Sequence, residues 1–423
     1  MEKSQSWKSV VIWSIISAAF IGPGTVTTAV SAGSQFQLNL LWAVTFATVA
    51  CVVLQEVAAR ITIASGRNLG QVLMMRYGQS GKYLQILVGG SVIAGCAAYE
   101  AGNILGAVVG VNLLTGLKTE LLTIIIVAIS FILLWKGNPA WISNLMLLLV
   151  MIMGIAFAAV AFSQHFSLSE IVLSAVVPSI PPKSELLLLG LLGTTVVPYN
   201  IFLGSGISKG QTIKMMRVGL TISVMIGGMI TSAILIAGNA VSDFSSFENL
   251  YIGLQTKIGP TAAIAVALGL AAAGLSSAIT SPYAAAIIAR NVFEVSNETR
   301  VKLVWIGVLA TGFIFGISGV KPIPVILFVQ ALNGLILPLL VIFLIIVIND
   351  PAVIPEDARH SNAYNIILLM MLCGIVLISF NNIDKSVTST FGLVGGHFLI
   401  VLMGSLVVSI VVGILIFRGN RRE

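Results

Sequence analysis

Phe20-Ile21-Gly22-Pro23-Gly24-Thr25-Val26-Thr27-Thr28 sets a proline between two glycines inside an apolar run, and Gly193-Thr194-Thr195-Val196-Val197-Pro198-Tyr199-Asn200 sets a second proline inside another. A proline within a helix removes one backbone hydrogen bond and clashes with the carbonyl one turn back. The glycines at 22 and 24 add freedom to unwind. If these runs cross a membrane, the carbonyls and amides they free must face protein or a water-filled cavity. One such proline implies only a kink. What two imply depends on where they fall among the other apolar runs.

Composition fixes the setting. Of 423 residues, 57% are hydrophobic and 9% charged, where a soluble domain carries about 25% charged. The 15 acids and 22 bases cannot cover a soluble globule of this size. A cytosolic enzyme, a nucleic-acid-binding protein and a disordered scaffold are excluded. Cys51, Cys96 and Cys373 all lie in apolar runs, so neither a disulfide framework nor a metal cluster is indicated.

A membrane helix needs about 20 mostly apolar residues. Twelve segments qualify: roughly 9–32, 39–65, 84–112, 119–136, 142–163, 185–207, 214–239, 259–290, 301–319, 323–349, 362–381 and 393–418. Lys3 and Lys8 precede the first run as in a signal peptide, but the run is too long and has no convincing cleavage site. It counts as span one. Twelve spans return both termini to one side. With that side cytoplasmic, Lys118, Lys183, Lys257, Lys321 and Lys385 fall outside and the other 17 of 22 basic residues, through to Arg421 and Arg422, fall inside. The positive-inside rule therefore predicts cytoplasmic N- and C-termini, and the plasma membrane is the expected location. It also accounts for the net charge of +7 without nucleic acid as a partner.

The longest loops, 164–183 and 241–259, are too short for a soluble catalytic domain. Function therefore resides in the bundle, with the lipid bilayer, a small solute and a coupling ion as partners. The two breaks fall in spans one and six, and the first ten spans divide five and five. Matching interruptions in two halves point to an inverted-repeat transporter with a midplane site. No residue-level repeat links the halves, so the breaks alone carry this reading. A channel would show a continuous polar lining, and an enzyme a nucleophile or metal set. His165, His360 and His397 lie in loops or near a span end without paired spacing. No phosphate-binding loop, cofactor motif or resident metal site is seen.

The sequence resembles the Nramp family of proton-coupled divalent-metal transporters, which have the LeuT-type fold. Gly22-Pro23-Gly24-Thr25 through Ala32-Gly33 to Leu41-Trp42 matches the family's Asp-Pro-Gly-Asn region and the segment after it. Gln55, Ala58-Ala59-Arg60 and Ser65-Gly66-Arg67-Asn68-Leu69 fit span two, and Pro198-x-Asn200 falls where the family has Met-Pro-His-Asn. Gly274-Leu275-Ser276-Ser277 in span eight, and Gln330 with Pro338 in span ten, also fit. The resemblance implies an all-α LeuT-type 5+5 inverted repeat with discontinuous helices 1 and 6. The expected organisation is one transporter domain over 1–423: a first repeat at 9–163, an inverted second at 185–349 and two peripheral helices over 362–418.

The departures fall on the chemistry. The family's metal ligands, the Asp and Asn of span one and the Met of span six, correspond here to Gly22, Thr25 and Val197. The span-six His linked to proton movement is Tyr199, and the acidic pair of span three is Glu100 and Asn103. Dehydrating a divalent cation is costly, and sites offset that with anionic or soft ligands. Without the carboxylate, the start of the second half of span one is an unopposed positive helix end, which favours an anion. The expectation is therefore a small organic solute with a carboxylate, held by Gly22, Pro23, Gly24, Thr25, Thr194, Val197, Pro198, Tyr199 and Asn200, with Gln330 and Asn333 from span ten. The alternative is the parent family's activity, proton-coupled transport of Mn, Fe or Mg.

Each residue also has a plainer reading. Thr25, Thr27 and Thr28 can bond back to helix carbonyls, and Tyr199 and Asn200 can satisfy freed backbone. Gln330 and Asn333 can bond helix to helix, and Ser276, Ser277, Thr280 and Ser281 can form a close-packing seam. Two intramembrane acids stand out, because charge at depth is costly. Glu100 coincides with an acidic family position, as a coupling group for protons or sodium. Glu56 has Arg60 at i+4, a spacing that suits an ion pair; it is the second coupling candidate.

Overall fold

Each proline of the two breaks starts a helix. The computed structural model describes residues 2–136, 139–241, 244–391 and 397–419; Arg421 and Arg422 lie outside them. Helix α1 (Glu2–Phe20) stops before Ile21 and Gly22, and α2 (Pro23–Phe36) begins at Pro23. Further on, α8 (Glu185–Thr195) stops before Val196 and Val197, and α9 (Pro198–Ser208) begins at Pro198. Proline suits a first helical position, where its missing N–H would have had no partner anyway. Both broken spans fall where the sequence put them.

The remaining spans are continuous. They are α3 (Leu41–Ser65), α4 (Leu69–Thr115), α5 (Thr119–Lys136), α6 (Pro139–Phe162), α10 (Ile213–Gly238), α12 (Pro260–Asn291), α13 (Glu298–Ile317), α14 (Pro322–Ile348), α15 (Asn362–Phe391) and α16 (Phe398–Gly419). With the two broken spans they account for the twelve expected segments. Among the described residues, ten stretches are long and apolar enough to cross a bilayer, and shorter apolar helices at Ser9–Phe20 and Leu337–Ile348 complete the first and tenth spans. No strand occurs among the described residues.

The structure departs from the sequence reading at the span ends. Helix α4 starts well before residue 84, and Gly78, at φ +53°, breaks it near that end. The two longest loops are partly helical, as α7 (Leu168–Val176) and α11 (Phe247–Lys257). Local capping explains both. Ser167 and Glu170 form a reciprocal capping box on α7, and the Ser246 hydroxyl caps α11 by accepting from the Asn249 amide at 3.1 Å. The same Ser167 contacts hold the Glu170 carboxyl below the usual carboxylate range.

Two groups of helices meet at the breaks. α1, α3, α9 and α10 pack on one another, while α12 lies along α4 and α13 packs on both. Small residues set the spacing, as membrane helices lack a hydrophobic drive toward each other and rely on close packing. A Cβ added to Gly274 would lie 2.6 Å from the Ala107 Cβ, and one added to Gly110 would lie 2.8 Å from the Ala271 Cα. Apolar side chains such as Ile155 and Leu339 are outward-facing and suit a hydrocarbon surround. Gly274→Leu should overpack the α4–α12 crossing and lower stability by about 1–3 kcal/mol, read as a reduced Tm of the purified protein in detergent.

Candidate substrate site at the helix breaks

Breaking a helix in a membrane frees carbonyls, and here hydroxyls and amides reach most of those at the end of α1. The Thr25 hydroxyl donates to the Phe20 carbonyl. Tyr199 donates to Ala19 O at 2.8 Å, and Asn200 Nδ2 to Ile16 O at 3.1 Å. Ser276 and Ser277 of α12 approach Ala18 O at 3.5 and 3.4 Å. In the second break, Tyr99 of α4 shares its hydroxyl between Gly193 O at 2.9 Å and Gln330 Oε1 at 2.8 Å.

The two breaks touch directly. Thr25 Oγ1 and Thr194 Oγ1 are 2.7 Å apart, and both residues are buried. Gly22 is in an extended conformation (φ −112°, ψ −171°), open to any residue. What it requires is space, because a Cβ there would collide with the Ser277 hydroxyl. Gly24 is confined likewise by the Gln330 amide, and Pro23 packs on Gly106. Pro198 opens α9, and Val197 is its buried N-cap, with a carbonyl that accepts the Asn200 amide at 3.0 Å.

The sequence candidates therefore separate. Gly22, Pro23, Gly24, Thr25, Thr194 and Gln330 converge on one spot. Tyr199 and Asn200 donate to carbonyls of α1 and tie α9 to it, while the buried Asn200 Oδ1 has no hydrogen-bond partner. Thr27 and Thr28 hydroxyls are buried without a hydrogen-bond partner, so they do not bond back into the helix. Asn333 is buried with an unpartnered Nδ2, one turn past Gln330 on the side of Gly95. Glu100 is fully buried on α4; its Oε2 accepts from Asn103 Nδ2 at 3.3 Å and its Oε1 has no partner. Through Asn103, Glu100 is linked to the space beside Gly22. Glu56 is elsewhere, in ion pairs with Arg60 and Arg217 and with His360 Nε2 beside its other oxygen. Sequence reading missed Tyr99, whose hydroxyl joins the broken end of α8 to Gln330 of α14. Its signal was a tyrosine directly before the intramembrane Glu100.

No group of three or more His, Cys, Asp or Glu residues that could hold a metal occurs among the described residues. The site offers hydroxyl, amide and backbone oxygens. On the side away from the termini, a cavity of about 610 Å³ lies between α4, α11 and the start of α14, lined by Leu105, Val109, Phe247 and Lys321.

Two broken helices that meet inside an apolar helical bundle define an integral membrane protein of the LeuT-type fold. Residues 14–383 match the family described as natural resistance-associated macrophage protein-like, and the chain belongs to this Nramp family. The divalent metal cation transporter MntH of Mycobacterium tuberculosis is 24% identical over 376 residues, covering 82% of this chain and 84% of that one. The MntH of Erwinia tasmaniensis is 23% identical over 387 residues, 86% and 92% of the two chains. A mutant of the Eremococcus coleocola manganese transporter shares the fold at a TM-score of 0.75 and 17% identity, over 98% of this chain and 96% of that one. Mhp1, a nucleobase-cation-symport-1 family transporter in a closed conformation, shares it at 0.60 and 15% identity, over 97% and 92%.

If the Thr25–Thr194 contact joins the breaks, replacing both by valine should cost less than the sum of the single replacements. The coupling expected from a thermodynamic cycle on unfolding is about 0.6–1.7 kcal/mol, the range for hydrogen bonds between membrane helices.

Proposed function

We propose that this protein carries a divalent cation across the plasma membrane by alternating access, with both termini in the cytoplasm. Its two repeats would span 9–163 and 185–349, with 362–418 peripheral. The observation that carries the cation reading is the convergence of oxygens at the breaks: Thr25 and Thr194 hydroxyls, the Phe20 and Gly193 carbonyls and Gln330 Oε1. The curated relatives named as divalent metal cation transporters, and the manganese transporter of the same fold, support it. Hard cations take oxygen ligands, and Mg²⁺ keeps several of its waters when bound. Val197 supplies no soft donor, so the site suits Mg²⁺ or Mn²⁺ ahead of Fe²⁺. Glu100, linked to the space beside Gly22 through Asn103, would carry the coupling proton.

Gly22 supports a second reading, a small carboxylate-bearing solute. The Gly22 N-cap gives α2 no side-chain cap, so its first-turn amides can receive an anion. The relatives weigh toward the cation.

Flux into proteoliposomes separates the two, with Mn²⁺ or Mg²⁺ outside, an inward proton gradient and empty liposomes as control. Saturable metal entry is expected, reduced about tenfold by Thr25→Val, the equivalent of about 1.4 kcal/mol. Glu100→Gln should leave entry insensitive to the proton gradient. Absence of metal entry from folded protein, with saturable uptake of a small carboxylate, would establish the second reading instead.

A further inference from the structure

One carboxylate outside the transport site gathers an unusual set of partners. Glu56 Oε1 accepts from Arg60 Nε at 2.9 Å and Nη2 at 2.7 Å, and from Arg217 Nε of α10 at 2.9 Å. Its Oε2 lies 3.0 Å from His360 Nε2. Arg60 Nη1 donates in turn to Ala358 O at 3.0 Å. The His360 ring stacks on Tyr364, centroids 4.0 Å apart and planes 13° apart. The Glu56 and His360 side chains are only 6% and 3% exposed, so the contact is made away from bulk water.

His360 and Ala358 belong to the link between α14 and α15. The start of the same link is tied to the other helix group, where Asp350 pairs with Arg76 of α4. Val353 and Ile354, between the two attachments, are buried. The link thus crosses the face that carries the chain ends, fastened to α3 at one end and to α4 at the other. Those helices belong to the two groups that meet at the breaks.

We propose that residues 349–361 form a strap that holds this face shut, with Glu56–His360 and Arg60–Ala358 as one clasp and Arg76–Asp350 as the other. The proposal rests on the alternating-access reading, under which the two helix groups must part on this face. A buried ion pair is weak evidence for stability, since apolar replacements are often as stable. A releasable fastening is a better use of it, because freeing one partner requires only rehydration of that partner. The geometry agrees: the opposite face holds the 610 Å³ cavity, while on the strapped face Trp13 is fully buried and donates to Gln211 Oε1 at 3.1 Å.

Two cysteine reporters test the strap without a transport substrate. Each is placed in a full-length chain whose Cys51, Cys96 and Cys373 are replaced by alanine, in lipid nanodiscs, where a hydrophilic maleimide reaches both faces. Ala284→Cys reports the strapped side: residue 284 is buried, two turns from Ser277 on the same face of α12. Val109→Cys reports the cavity on the other side. Glu56→Gln should raise the labelling rate at 284 about tenfold and lower it at 109, because one state gains what the other loses. His360→Gln and Asp350→Asn should reproduce that reciprocal pattern, and they serve if Glu56→Gln does not fold. Equal rises at both reporters would show that the network merely holds the fold together, and unchanged rates would show that the strap holds nothing shut; either overturns the proposal. Metal flux is a separate readout, so a failed substrate assignment would leave this result intact.

Discussion

A carbonyl freed inside a membrane has no water to turn to, and this constraint organises the centre of the molecule. Two prolines free backbone at the same depth, and the surrounding helices answer with donors. Thr25, Tyr199, Asn200, Ser276 and Ser277 serve the end of α1, and Tyr99 serves the end of α8. Each donor comes from an element that must lie close by, so the breaks dictate which helices pack together. The glycines at 22 and 24 then keep Ser277 and Gln330 near enough to matter. Unsatisfied polar backbone at depth costs several kcal/mol per group, more than most packing details can offset.

Much of this is legible in the amino-acid sequence. Twelve apolar runs, two of them interrupted by proline at positions one and six, fix the class of fold, because length and periodicity are properties of the chain itself. The ends of helices were less legible. The extension of α4 and the two loop helices depend on local caps such as Ser167 with Glu170. The site was half legible. Gly22 through Thr25, with Thr194 and Gln330, could be named from the breaks and the family pattern. The orientation of Tyr199 and Asn200 could not, since a polar group beside a proline serves a ligand or the backbone equally well. Glu56 shows the same limit: its i+4 Arg60 was readable, while Arg217 and His360 come from 161 and 304 positions away by subtraction of residue numbers.

The chain keeps the family's architecture while changing the atoms at its centre. Where the resemblance calls for a carboxylate, an amide and a thioether, it has Gly22, Thr25 and Val197. Neutral oxygens bind a cation less tightly than a carboxylate does, so a cation here would retain part of its water shell. That matches the hard ions better than the soft ones. It also leaves Glu100 as an acid set apart from the breaks, linked to the space beside Gly22 through Asn103.

Anomalous scattering from crystals soaked in Mn²⁺ would locate the ion without prior assumptions. A peak is expected between the Thr25 and Thr194 hydroxyls and the Gln330 amide, lost in Thr25→Val crystals. A peak only at surface carboxylates, or density for a carboxylate solute over the first turn of α2, would contradict it.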